Sequence, residues 1–259
     1  MKKILLLTAA ALVATTAAQA GHNKKFGGFY VGGELGGGSA RFDQNRTPDN
    51  SAAGAFGILG VDGASTKSDV SATGIVGGLN LGYGYVHAPS HVYFGVHLAG
   101  NLSGFKGEQN SSDSAPHNIK NEYKLKNSFS ADFRLGYAFE NALVYGLIGV
   151  ISSKVEAETT YSSRVAGNLG EFAKGSKSSR KTGLLLGLGV EVPVANRFSI
   201  GGEYRYARYG DVKYDTKTNN VARAAAGFGF GAYPLNTNVD SQKVKPSSHS
   251  FVVTAKYRF

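Results

Sequence analysis

The sequence predicts an all-β fold: an eight-stranded antiparallel transmembrane up-and-down β-barrel with short periplasmic turns and long extracellular loops. Three observations predict it. The chain ends on Phe251-Val252-Val253-Thr254-Ala255-Lys256-Tyr257-Arg258-Phe259, where Phe251, Val253, Ala255, Tyr257 and Phe259 share one face of a period-2 strand and Val252, Thr254, Lys256 and Arg258 share the mostly polar other. Seven further segments alternate in the same way, and the connections between them are alternately short and long. The N-terminus reads as an export signal, and nothing after it approaches the ~20 apolar residues of a membrane helix.

The export signal consists of basic Lys2 and Lys3, an apolar run from Ile4 to Ala18, and the small-x-small site Ala18-Gln19-Ala20. Residues 1–20 are expected to be the signal peptide and 21–259 the barrel domain. The chain has no cysteine, which excludes a lipoprotein anchor, a disulfide and a thiolate site. Its 36 Gly, 14 Tyr and 15 Phe suit twisted strands with aromatic belts, and suit helices poorly, because each helical Gly costs about 1 kcal/mol. The net charge of +10 becomes 10 − 2 = +8 once Lys2 and Lys3 are removed. An exported basic protein meets anionic lipid head groups, such as lipopolysaccharide phosphates, rather than nucleic acid.

The first strand is predicted over Phe29 to Phe42, with Phe29, Val31, Gly33 and Leu35 opposite Tyr30, Gly32, Glu34 and Gly36. The second runs from about Val70 to Tyr85, with Ile75, Leu79, Leu81, Tyr83 and Tyr85 on its apolar face. The third, Val92 to Leu102, sets Val92, Phe94, Val96, Leu98 and Leu102 against Tyr93, His97, Asn101 and Ser103. The fourth, about Leu125 to Phe139, sets Phe129, Ala131, Phe133, Leu135, Tyr137 and Phe139 against Ser128, Ser130, Asp132 and Arg134. The fifth, Leu143 to Val155, is apolar on both faces, and its sidedness stays open. The sixth, about Thr182 to Val192, places Leu184, Leu186, Leu188, Val190 and Val192 opposite Leu185, Gly187, Gly189 and Glu191. The seventh places Phe198, Ile200, Gly202, Tyr204 and Tyr206 opposite Ser199, Gly201, Glu203 and Arg205, and the eighth is the closing strand.

Each run approximates the ~9–11 residues of a tilted membrane strand. Short turns fall near 86–91, 140–142 and 193–196. The long connections are expected at 43–69, 104–122, 156–181 and 207–250. Phe29, Tyr83, Tyr85, Phe94, Tyr137, Phe139, Phe198, Tyr257 and Phe259 gather beside the chain ends or short turns, where an interfacial girdle belongs. Closure is a physical requirement, because lipid offers no partner to an unpaired backbone donor.

Gly28-Phe29-Tyr30-Val31-Gly32-Gly33, Arg134-Leu135-Gly136-Tyr137-Ala138-Phe139, Gly187-Leu188-Gly189-Val190-Glu191, Gly202-Glu203-Tyr204-Arg205-Tyr206 and Tyr257-Arg258-Phe259 resemble the small eight-stranded outer-membrane barrel family. That family (the "porin family") includes the transmembrane domain of outer-membrane protein A, the neisserial opacity proteins and alpha-proteobacterial surface barrels. The resemblance covers the strands and leaves the loops unmatched. It implies residence in the bacterial outer membrane, and a C-terminal signal, Tyr257 and Phe259, that the barrel-assembly machinery reads. The periplasmic peptidoglycan-binding domain of outer-membrane protein A is expected to be absent here.

The inward charged set is expected to be Glu34, Asp132, Arg134, Glu191, Glu203, Arg205, Lys256 and Arg258, with His97 beside it. Eight strands leave room for little more than side chains, so a packed interior of paired ions is favoured over a conducting path. Strand register suggests Glu34 near His97. Related barrels include lipid A deacylases and acyltransferases, which need a base and a hydroxyl within reach. Of His87, His91, His97, His117 and His249, His249 adjoins Ser250 just before the last strand, but adjacent strand residues point to opposite faces, and His87 and His91 lie at a predicted periplasmic turn, the wrong side for that substrate. His87 and His91 span a Pro-containing turn, not a helix, so they carry no metal-ligand geometry. The glycine clusters at 36–38 and 227–231 lack the strand-then-helix setting of a phosphate loop. No enzyme, metal or cofactor is therefore expected. The expected role is structural and surface-exposed: a monomer embedded in outer-membrane lipid and lipopolysaccharide, with long loops offered to host or matrix ligands. Ala222 to Ala232 forms an apolar, glycine-rich patch in the longest loop. The alternative is a small passive porin-like channel.

Overall fold

The computed structural model describes residues 25–48, 66–112, 117–163, 170–218 and 238–259. The signal peptide and the Ala222–Ala232 patch lie outside these residues. Ten strand segments follow in chain order: β1 Gly28–Pro48, β2 Thr66–His87, β3 Val92–Ser103, β4 Phe105–Ser112, β5 His117–Ala138, β6 Leu143–Ser163, β7 Gly170–Pro193, β8 Phe198–Tyr209, β9 Val212–Thr218 and β10 Asn238–Arg258. All described pairings are antiparallel, and the order β1-β10-β8-β7-β6-β5-β3-β2 returns to β1 through the β1–β2 ladder. The ten segments therefore make a closed ring of eight staves. Two staves are broken: β4 continues β3 past Gly104, and β9 continues β8 past Gly210 and Asp211. The amides of Gly104 and Gly210 still donate across the breaks to the carbonyls of Ile75 and Thr182, each at 3.1 Å.

The staves are about twice the expected length. β1, β2, β5, β6, β7 and β10 run 21 to 24 residues, so much of the predicted long connections at 43–69, 104–122, 156–181 and 207–250 is strand. At ~3.3 Å per residue and a tilt near 40°, the excess raises the barrel wall on the order of 25 Å beyond a membrane band. The reason is legible in β6. Val144, Ile148 and Val150 point outward and are exposed, while Leu143, Tyr145 and Leu147 are buried inside. From Ser152 onward the preference inverts: Lys154, Glu156 and Glu158 face outward, and Val155, Ala157, Thr159 and Tyr161 face inward and are buried. The lower half is apolar outside, as lipid demands; the upper half is polar outside and builds an ordinary aqueous β core inside. This also settles the sidedness of the fifth stave.

The three short connections, 88–91, 139–142 and 194–197, lie at the end that also holds both ends of the described chain. There the Phe259 amide donates to the Phe29 carbonyl at 3.0 Å, and β1 pairs with β10 from Tyr30↔Arg258 to Pro48↔Asp240. Aromatics ring this end: Phe29 against Phe259 (5.6 Å), Tyr257 edge-on to Phe259 (5.2 Å) and Phe198 (5.0 Å), and Tyr137 edge-on to Phe139 (4.8 Å).

Candidate functional site: the barrel lumen

The lumen is filled in three tiers, each fixed by the inward alternate residues of the staves. The lowest, near the short turns, is ionic. Nothing in it is more than 7 % exposed: Glu34, His97, Asp132, Arg134, Glu191, Glu203, Arg205, Lys256 and Arg258 are all buried. Four carboxylates face three guanidinium groups and one ammonium.

Glu203 is its hub. Arg134 Nη1 lies 2.9 Å and Arg205 Nη2 2.5 Å from its carboxylate, the Tyr145 hydroxyl donates at 2.6 Å, and Lys256 Nζ stands 3.8 Å away. Arg205 also donates to Glu34 through Nη2 at 2.8 Å, and the Asn80 amide donates to the same carboxylate at 3.2 Å. Glu191 accepts from Lys256 Nζ at 2.7 Å, from the Ser199 hydroxyl at 2.6 Å and from Arg258. Asp132 bonds His97 Nδ1 at 2.8 Å and Arg134 Nε at 2.9 Å. Aromatic faces complete the packing: the Arg258 guanidinium lies 5.0 Å over Tyr30, and that of Arg134 lies 5.0 Å over Tyr145. Glu34 and His97 share the tier closely enough to interact through space, but their direct partners are others. Residue pairing along β3 and β5 sets His97 opposite Asp132, whereas Glu34 is claimed by Arg205.

Above the ions lies a small serine-rich space of about 30 Å³, bordered by Asn101, Ser103, Ser128, Ser130, Ser153 and Ser248. That is room for about two waters. The second tier is apolar: Phe42 stacks on Tyr123 at 5.1 Å, packed among Phe105, Leu125, Val155, Val212 and Val244, all buried. The third tier, near the outer mouth, is polar. Asp240 accepts from Arg46 Nε at 2.8 Å, from Gln242 Nε2 at 3.0 Å and from the Tyr161 hydroxyl. Thr159 bonds Asn121 at 2.8 Å and Tyr214 at 2.9 Å. Burial pushes the Tyr161 and Tyr214 phenols above their ordinary range, which keeps them protonated as donors.

The third tier is hidden in the sequence because its residues fall in segments read as loops, as do Phe105, Val212 and Val244 of the second, whereas Phe42, Leu125 and Val155 stand at the ends of predicted strands. Tyr145 was missed because its stave had no assigned face. The histidines considered for catalysis are dispersed. His87 pairs with Ser90 at the periplasmic-end turn (3.0 Å), His97 lies in the ionic tier, and His249 contacts Tyr204 Oη at 2.6 Å on the outer surface. His91 adopts a left-handed backbone, φ 56°, in its turn. The His117 side chain lies outside the described residues. Tyr257 accepts from Arg197 Nη1 at 3.0 Å and, with Phe259, closes the aromatic ring at the seam.

A closed antiparallel barrel with an apolar lower exterior and an ion-packed lower lumen defines a membrane-spanning β-barrel protein. The chain belongs to the family described as "Outer membrane protein beta-barrel domain", which matches residues 6–259. It is therefore a bacterial outer-membrane β-barrel protein. Among curated proteins none matches the chain. Solved structures that share its outline include the outer membrane protease OmpT from Escherichia coli, at 10% identity and TM-score 0.48, with 90% of this chain and 97% of that one covered. OprG from Pseudomonas aeruginosa is 15% identical with TM-score 0.43, covering 90% and 98%. Ail, the attachment invasion locus protein of Yersinia pestis, is 16% identical with TM-score 0.30, covering 87% and 99%. Likenesses this distant assign no residue a role.

Proposed function

We propose that this protein is a sealed structural barrel of the outer membrane that holds a rigid, water-exposed collar above the lipid. In this reading residues 1–20 direct export and are removed, and Tyr257 and Phe259 are the signal used for insertion by the barrel-assembly machinery. The monomeric barrel contributes to envelope integrity, is embedded among outer-membrane lipids and lipopolysaccharide, and presents its collar and outer loops to host or matrix ligands. One observation carries the reading: the lumen is blocked twice, by the ionic tier around Glu203 and by the apolar tier around Phe42 and Tyr123. The alternative, a small passive channel, requires both tiers to move. It would also leave buried carboxylates or guanidinium groups unpaired, at several kcal/mol each.

Purified protein in planar bilayers tests the proposal. The sealed barrel gives no stable conductance steps; reproducible open levels across independent insertions would establish the channel instead.

A further inference from the structure

Where the outer surface turns from apolar to polar, three cations stand side by side. Register places Lys126 opposite Lys154 and Lys154 opposite Arg180, on β5, β6 and β7. Like charges directly opposed across strands repel, so the row needs counter-charge. Glu156 supplies one: its carboxylate lies 2.7 Å from Lys126 Nζ and 2.9 Å from Lys154 Nζ. Those two ammonium groups hold the Glu156 carboxyl down to about 2, so it is ionised throughout the physiological range. Arg180 makes no ion pair among the described residues. It lies 5.4 Å over the Phe129 ring and donates to the Ser152 carbonyl at 3.3 Å. The row therefore keeps a net charge of 3 − 1 = +2.

Directly below it, on the lipid-facing surface, runs an apolar groove of about 470 Å³. Gly100 and Ala131 form its shallow floor; Leu79, Leu98, Phe129 and Val150 form its walls. The volume lies within the ~300–1,000 Å³ of small-ligand pockets. Phe129 joins the two features, since its ring lines the groove and carries the Arg180 guanidinium above it. Ser152 and Thr182, cross-strand partners, place hydroxyls at the join.

We infer that this surface is a binding site for a phosphorylated acyl glycolipid of the outer leaflet. A phosphate meets Lys126, Lys154 and Arg180, sugar hydroxyls meet Ser152 and Thr182, and an acyl chain lies in the groove over Gly100 and Ala131. The cations sit on the side away from the short turns, which is the outer-leaflet side of the barrel. A second lipid-facing groove of about 730 Å³, between Phe133, Leu135, Ile148 and Leu188, has no charged residue in its lining and serves as an internal control. The inference rests on the outer-membrane reading above and adds a specific lipid partner to it.

The test is native mass spectrometry of the barrel released from micelles containing one of three lipids: lipid A, the same lipid A with its phosphates removed, or phosphatidylglycerol. Folding of every variant is checked first by heat-modifiable gel migration. The wild type is expected to retain one lipid A roughly tenfold more than either comparison lipid, given the pull of two uncompensated cations on phosphate. Lys154→Gln with Arg180→Gln removes the preference for the phosphorylated form. Ala131→Phe lowers retention of both lipid A forms, whereas Gly146→Leu in the control groove changes neither. Equal retention of the two lipid A forms by the wild type, or an unchanged preference in the double variant, overturns the site. Equal retention of phosphatidylglycerol overturns its glycolipid specificity. Loss of this site with an unchanged absence of conductance leaves the sealed-barrel proposal standing, so the two fail separately.

Discussion

Glu203 shows how much one inward residue can organise. Two guanidinium groups, one ammonium and one phenol converge on its carboxylate. Removing only its charge leaves Arg134 and Arg205 short of a partner in a fully buried site. Glu203→Gln is therefore expected to lower unfolding stability by about 3–5 kcal/mol. The midpoint of urea unfolding in lipid vesicles measures this, with Glu108→Gln as control. Glu108 pairs with Lys106 on the exposed collar, where solvent screening makes such a loss small. A Glu203→Gln midpoint equal to that control would mean that the ionic tier does not carry the stability assigned to it. The sequence showed which side chains enter this tier, because alternation assigns each residue a face. It did not show who pairs with whom. Glu34 meets Arg205 from two staves away, and that meeting depends on tilt and stagger, which no single strand encodes.

At the scale of the stave, the misreading of length has one physical cause. In β6 inward and outward residues alternate unbroken from Leu143 to Tyr161, but the outward face changes from apolar to polar at Ser152. A search for apolar-out strands stops just past this change, at Val155, and reads 156–181 as a connection, although Ala157, Thr159 and Tyr161 continue the inward face. The seam between β1 and β10 is tightly paired. A Cβ built on Gly36 would stand 2.0 Å from the Phe251 carbonyl oxygen and 2.7 Å from the Val252 Cα, all backbone that cannot turn aside. Gly36→Val is therefore expected to remove most of the compact, heat-modifiable species on gels. At the break between β3 and β4, nothing lies within 4 Å of a Cβ on Gly104, and Gly104→Ala should shift stability by no more than ~0.5 kcal/mol. If both variants migrate like the wild type, the seam is looser than its register implies.

The whole molecule is one closed ring in two environments. The eight-stave topology, the short-turn end and the closing role of the C-terminal strand were all legible beforehand, since each follows from alternation and from the spacing of turns. The collar was not, and it changes what the barrel offers. It is a wall of paired strands whose outer face is polar, standing beyond the apolar band. The change of the outer face from apolar to polar is expected to mark the membrane boundary. Spin labels placed singly at the outward positions of β6, residues 144, 148, 150, 152, 154, 156, 158 and 160, report depth in a bilayer through their relative exposure to oxygen and to a water-soluble nickel complex. Oxygen should dominate through Val150 and the nickel complex from Lys154 onward, with the crossover at Ser152. A lipid-like signal continuing to Thr160, or a water-like one beginning by Ile148, would contradict the account.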